Sequence, residues 1–126
     1  MIADTTFLSD FHDEHQRRQF GPARRFLAAH RNQPLRTTVI SAAEIAVIFD
    51  TNQEARVFLS RFCTLKNIFP ELAFTAASID RELIRLGHRL GENDNWIAAF
   101  CRYYSEPLIS RDSDFDRVRG LRRLPY

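Results

Sequence analysis

Glycine is scarce in this chain, with four in 126 residues. No Gly-x-Ser-x-Gly elbow, phosphate-binding loop or dinucleotide fingerprint occurs, which argues against covalent serine chemistry and nucleotide-driven transfer. Cysteine is scarcer still. Cys63 and Cys101 are the two, both within apolar patterns of helical spacing, and they read as buried thiols of a reducing compartment, not as a disulfide framework. His12, His15, His30 and His88 stand at no recognisable zinc spacing with the cysteines and read as surface or interface residues. Long apolar runs are missing too. The longest, Trp96 to Cys101, has six residues, against roughly 18 for a bilayer span. No basic start followed by an apolar stretch precedes residue 20, so neither a secretory signal nor a membrane partner is expected. Lysine is almost absent: of 18 basic residues 17 are arginine, leaving Lys66. The arginine fork suits phosphate recognition, although codon usage in a GC-rich genome is the simpler cause of the bias. Nor is there an excess of one charge, because 18 basic against 16 acidic residues leave +2, too mild to indicate a nucleic-acid partner by itself.

What remains is an ordinary core-forming mixture, 44% hydrophobic and 27% charged. It predicts one soluble domain over residues 1–126, in the cytoplasm. Met1 to Ala3 reads as a minimal strand. A helical stripe at Phe7, Leu8 and Phe11 follows, then a helix opened by Gly21-Pro22. Arg36 to Ile40, rich in β-branched residues, predicts a buried strand, with Ser41 capping the next helix. Thr51-x-x-Glu54 is a capping box ahead of Phe58, Leu59 and Phe62. Leu65 to Phe69 predicts a short strand, and Leu72, Ala76, Ile79, Leu83, Leu86 and Leu90 a long amphipathic helix closed by Gly91. Asn93 or Asp94 opens another helix, Leu108 to Ser110 predicts a strand, and Leu121 to Leu124 a last edge strand. Strands alternate with helices and no hairpin signal joins two strands, so the expected class is α/β with a mainly parallel sheet of four to five strands.

In such a sheet the ligand site lies outside the carboxyl ends of the strands. Asp4 follows the first strand, Glu44 lies in the helix after the second, Asp94 at a helix start, and Asp112 just beyond Ser110. Carboxylates brought together there resist joint ionisation. A divalent cation removes that conflict, and an all-oxygen set favours Mg²⁺ or Mn²⁺ over zinc. Such a site supports metal-assisted attack of water on a phosphodiester. Singly, each acid has a plainer explanation: Ser41-x-x-Glu44 is itself a capping box, Asp94 suits a helix dipole, and Asp4 and Asp112 can simply end strands. Jointly these explanations weaken, because every acid falls where an α/β site belongs.

The motifs around the acids carry a family resemblance. Ile2-Ala3-Asp4-Thr5-Thr6-Phe7-Leu8, Ser41-Ala42-Ala43-Glu44, Gly91-Glu92-Asn93-Asp94-Asn95-Trp96-Ile97-Ala98-Ala99 and Ser110-Arg111-Asp112-Ser113-Asp114-Phe115 resemble, in order and spacing, the four motifs of PIN domains. The likeness is specifically to the VapC-type ribonuclease toxins of bacterial toxin–antitoxin systems. The resemblance implies a PIN-like three-layer α/β/α fold and an endoribonuclease with Mg²⁺ or Mn²⁺ held by Asp4, Glu44, Asp94 and Asp112. It also implies an antitoxin partner that neutralises the enzyme, and a homodimer. Two departures stand out: the opening strand is short, and Ser110 replaces the commoner threonine while keeping its hydroxyl. Thr5 and Ser110 are supporting residues in this reading.

Asp112, Asp114 and Asp116 alternate like the start of an EF-hand, but Arg117 and Arg123 occupy the positions that need glycine and glutamate, which excludes it. Asp114 stays a candidate supporting ligand, with a solvated loop acid as the simpler reading. Asp10 reads as the polar face of the first helix, and Trp96 and Phe115 as core. Arg17, Arg18, Arg24 and Arg25, and Arg111, Arg117, Arg119, Arg122 and Arg123, are candidate contacts for an RNA backbone. The alternative function is a catalytically inactive PIN-like module acting through RNA or protein contact, and a metal-dependent phosphatase is a weaker third.

Overall fold

The computed structural model describes Met1–Tyr126. Strands β1 (Ile2–Ala3), β2 (Arg36–Thr38), β3 (Thr64–Lys66), β4 (Leu108–Ile109) and β5 (Arg123–Leu124) form one sheet in the order β3-β2-β1-β4-β5. Every pairing is parallel. Helices α1 (Thr5–Gln16) and α2 (Pro22–Ala29) join β1 to β2. α3 (Val39–Ala46) and α4 (Asn52–Phe62) join β2 to β3, and α5 (Pro70–Arg85) and α6 (Glu92–Tyr104) join β3 to β4. A 3-10 turn at Ser113–Arg117 precedes β5. No helix is long and apolar enough to cross a membrane.

Side chains alternate across the sheet even in strands this short. Ile2 and Leu108 pack with Leu72, Ile79 and Leu83 of α5, Ile97 and Phe100 of α6, and Phe115. Ala3 and Ile109 pack on the other face with Phe7, Leu8 and Phe11 of α1, Ala23 of α2, Ile45 of α3, and Phe58 and Leu59 of α4. The sheet is therefore the middle layer of an α/β/α sandwich. Phe7, Phe100 and Phe115 are fully enclosed, and truncating such a ring to alanine costs about 3–5 kcal/mol.

Several boundaries differ from the sequence expectation. β1, β4 and β5 are each shorter, at Ile2–Ala3, Leu108–Ile109 and Arg123–Leu124, and four further boundaries shift. The strand predicted over Arg36–Ile40 stops at Thr38, whose hydroxyl accepts from the Ser41 amide at 3.0 Å and caps α3 in place of Ser41. The capping bond thus turns β-branched Val39 and Ile40 into the first helical turn. β3 forms at Thr64–Lys66, ahead of the predicted Leu65–Phe69. α5 ends at Arg85 because Gly87, at φ 73°, lets the His88 amide return to Leu83 and its own to Ile84, a Schellman closure. α6 begins at Glu92 with Gly91 as its cap. The Thr51–Glu54 capping box forms as expected. α2, whose Gly21 cap has no side chain, borrows one: Glu14 of α1, buried, accepts from the Ala23 and Arg24 amides at 3.0 and 2.9 Å.

Candidate active site at the carboxyl edge of the sheet

Parallel strands present all their carboxyl ends on one edge. The chain leaves β1 towards β2 on one side and later lays β4 on the other, so the crevice opens where strand order reverses. Asp4 stands there. Its amide donates to the Ile109 carbonyl at 3.2 Å, tying it to β4. Its carboxylate Oδ1 accepts from the Phe7 amide at 2.7 Å, which makes it the cap of α1. Only 5% of the residue is exposed. Burial drives its pKa from 3.8 up to about 6, with repulsion from Asp94 and Asp10 adding to the rise, while hydrogen bonds from Ser110 and the Phe7 amide oppose it.

Asp94, in the first turn of α6, is also raised, first by burial and then by repulsion from Asp112, Glu44 and Asp114. Asp112, Glu44 and Asp114 are thus the charges that Asp94 feels most after its own burial. Glu44 of α3 is half-buried and held from two sides. The Thr5 hydroxyl donates to Oε2, and Asn93 Nδ2 donates to Oε1 at 2.7 Å. This arrangement disposes of the plainer explanation for Glu44, because α3 is capped by Thr38 and the glutamate spans to α1 and α6.

Asp112 is exposed on the turn after β4. Its amide donates to Ser110 Oγ at 3.0 Å, and its Oδ1 accepts from the Asp114 amide at 2.8 Å, capping the 3-10 turn. The fully buried Ser110 hydroxyl thus sits between Asp4 and the backbone that carries Asp112. Asp114 is half-buried and pairs with Arg117 at 3.1 Å. No three carboxylates, imidazoles or thiols stand close enough to form a preassembled metal cage. The structure gathers a looser set of oxygen acceptors from four separate chain segments.

Asn93 and Asp10 are additions to the set read from the sequence. Asn93 lies inside the Asn-Asp motif, so its position was a signal. Asp10, assigned to a solvated helix face, instead accepts from the Tyr126 hydroxyl and pairs with Arg111. The thiols are unsuited to nucleophilic work, since burial pushes Cys63 up to about 12 and Cys101 further. Phe115 is core, and Trp96 packs against that core.

Fold and site together define an α/β domain with an acidic crevice at the switch point of a parallel sheet. The chain belongs to the PIN-domain family, whose model matches residues 1–121. No curated protein sequence matches it. Among solved structures, VapBC2 from Rickettsia felis bound to a DNA fragment from its promoter is similar at a TM-score of 0.79 and 16% identity, over 98% of this chain and 96% of that one. VapBC-1 from nontypeable Haemophilus influenzae gives 0.78 and 18%, over 98% and 96%. A toxin–antitoxin complex from Klebsiella pneumoniae gives 0.71 and 23%, over 95% and 93%. These likenesses establish the three-layer fold.

Proposed function

We propose that residues 1–126 form a single PIN domain acting as a metal-dependent endoribonuclease. It would be a VapC-type toxin, working in the cytoplasm and neutralised by a cognate antitoxin. Asp4, Glu44, Asp94 and Asp112 are assigned to hold Mg²⁺ or Mn²⁺, with Thr5, Ser110, Asn93 and Asp114 orienting them. The observation that carries this reading is the hydrogen-bonded framework holding the acids at the carboxyl edge: Thr5 and Asn93 on Glu44, next to Asp94, and Ser110 between Asp4 and the Asp112 turn. Burial, with a smaller part from neighbouring acids, raises Asp4 and Asp94, and such oxygen donors suit Mg²⁺ and Mn²⁺.

When bound, the cation supplies a water of lowered pKa and charge neutralisation on the phosphoryl oxygens. The chain's own part is orientation. Thr5 and Asn93 fix both oxygens of Glu44, the Phe7 amide fixes one oxygen of Asp4, and Ser110 links Asp4 to the Asp112 turn.

The antitoxin reading is supported by solved neighbours that are toxin–antitoxin complexes and by a groove of about 510 Å³ between α1 and α4. Ile48, Phe49, Val57, Phe58 and Phe62 give it an apolar strip, and Asp50, Glu54 and Arg61 line it as well, which suits an amphipathic segment. An amphipathic helix of the antitoxin is its proposed occupant, and Val57→Arg in that strip is expected to weaken that complex while leaving RNA cleavage intact. Phe74, Ile84 and Leu86, exposed at 73%, 53% and 63%, are assigned to a homodimer. The primary test is cleavage of single-stranded RNA with Mg²⁺, with excess EDTA, and against a phosphomonoester. Undiminished cleavage in EDTA sinks the metal assignment. Binding without cleavage favours the inactive module, and phosphomonoester turnover alone favours a phosphatase.

A further inference from the structure

The arginines of the closing segment are not equivalent. Arg117 is taken up by Asp114, and Arg123 makes two bonds to Asp116 and a third to the Ser110 carbonyl. Arg111 lies between Ser110 and Asp112 and is held differently. One Asp10 oxygen forms an ion pair with Arg111 Nη2 and accepts from the Tyr126 hydroxyl, each at 2.6 Å. The guanidinium carbon also lies 5.3 Å from the Tyr126 ring centroid. That ring packs edge-on against fully buried Phe7 at 4.8 Å, so the platform under the arginine is anchored in the core. Arg111 thus has one edge on Asp10 and one face on Tyr126, yet 53% of its side chain faces solvent. A guanidinium has five donors, and this clasp leaves several of them free.

An exposed ion pair of this kind adds little to stability, which leaves its position to be explained. The acids beside it repel a polyanion, so a nucleic acid entering the crevice needs a positive group at the mouth. Asp10 also adds to the repulsion felt by Asp4, and Arg111 balances that charge. We propose that Arg111 is a positioning residue that grips an RNA backbone phosphate at the crevice, with Asp10 and Tyr126 holding its guanidinium in place. This proposal rests on the ribonuclease reading.

The test pairs cleavage kinetics in Mg²⁺ with anisotropy of a labelled single-stranded RNA of about 12 nucleotides in EDTA, across a salt series. Arg111→Ala is expected to raise KM and Kd about tenfold, to leave kcat within about twofold, and to lower the salt slope by about 0.7, the loss of one phosphate contact on a single strand. Tyr126→Leu, which removes the platform and keeps the charge, should raise KM about threefold at an unchanged slope. Arg85→Ala, which removes an equal charge beside Glu82 on α5, should change neither. If Arg111→Ala melts early, Arg111→Gln serves in its place, keeping a donor for Asp10 without the charge. Unchanged KM and slope in a folded Arg111 variant of an active protein overturn the proposal, as does a fall in kcat alone. Failure of the wild type to cleave RNA overturns instead the ribonuclease reading on which it rests.

Discussion

Asn93 Nδ2 donates to Glu44 Oε1 at 2.7 Å, so the residue before Asp94 fixes the carboxylate that repels it. The two acids are thereby coupled through one side chain. Asn93→Ala is expected to lower kcat about tenfold while changing stability by less than about 1 kcal/mol, the usual worth of an exposed hydrogen bond. Single-turnover cleavage beside urea denaturation checks this, and a variant as active as wild type removes Asn93 from the site.

Asp94→Asn keeps the shape and removes a charge. Cleavage should fall by at least about 100-fold with the fold intact. Mn²⁺ at about 100 times its dissociation constant should stabilise wild type by roughly 2.7 kcal/mol and the variant far less. Melting with and without the ion decides it, since equal shifts in both proteins would mean that Asp94 holds no metal.

Asp4 gives the protein a pH dependence of known sign. Its folded pKa, about 6, lies above the ordinary 3.8, so in that interval the folded chain keeps a proton the unfolded chain has lost. Stability from this group is complete below 3.8 and disappears as pH rises through 6, a change of about 3 kcal/mol. Asp4→Asn retains a capping side chain. In EDTA it should melt near wild type at about pH 4 and above it at about pH 7.5. Added Mn²⁺ should reverse the order at the higher pH.

Glu14 carries a purely structural prediction. Its carboxylate satisfies two amides at the start of α2, and a Cβ on Gly21 would overlap it. Glu14→Ala should cost about 1–3 kcal/mol by leaving those donors bare, and Gly21→Ala should destabilise as well by displacing the carboxylate. Chemical denaturation of both variants tests this, with RNA cleavage per folded molecule unchanged.

Much of the candidate site was legible because its acids sit where local pattern changes, from strand to turn or from loop to helix. Element order alone assigns Asp4, Glu44 and Asp112 to one edge, with Asp94 reaching it from a helix start. The errors have a common physical origin in how helices are capped at their ends. Val39 and Ile40 favour strand by propensity, but the Thr38 hydroxyl overrides them. The leucine spacing runs on through Leu86 and Leu90, but Gly87 closes α5 first. Asp10 was out of reach for a different reason. Its partners, Arg111 and Tyr126, lie at the far end of the chain, and no local spacing foretells such a contact.

Backbone anchoring differs sharply among the acids. Asp4, directly after the central strand of the sheet, is joined through its amide to β4 and through its carboxylate to α1. Asp112 hangs from a solvent-facing turn whose first link is a serine hydroxyl. The crevice acids thus answer to two different references, Asp4 to the sheet itself and Asp112 to a turn outside it. Ser110 is the one side chain that touches both, so a change at Ser110 would shift one acid relative to the other.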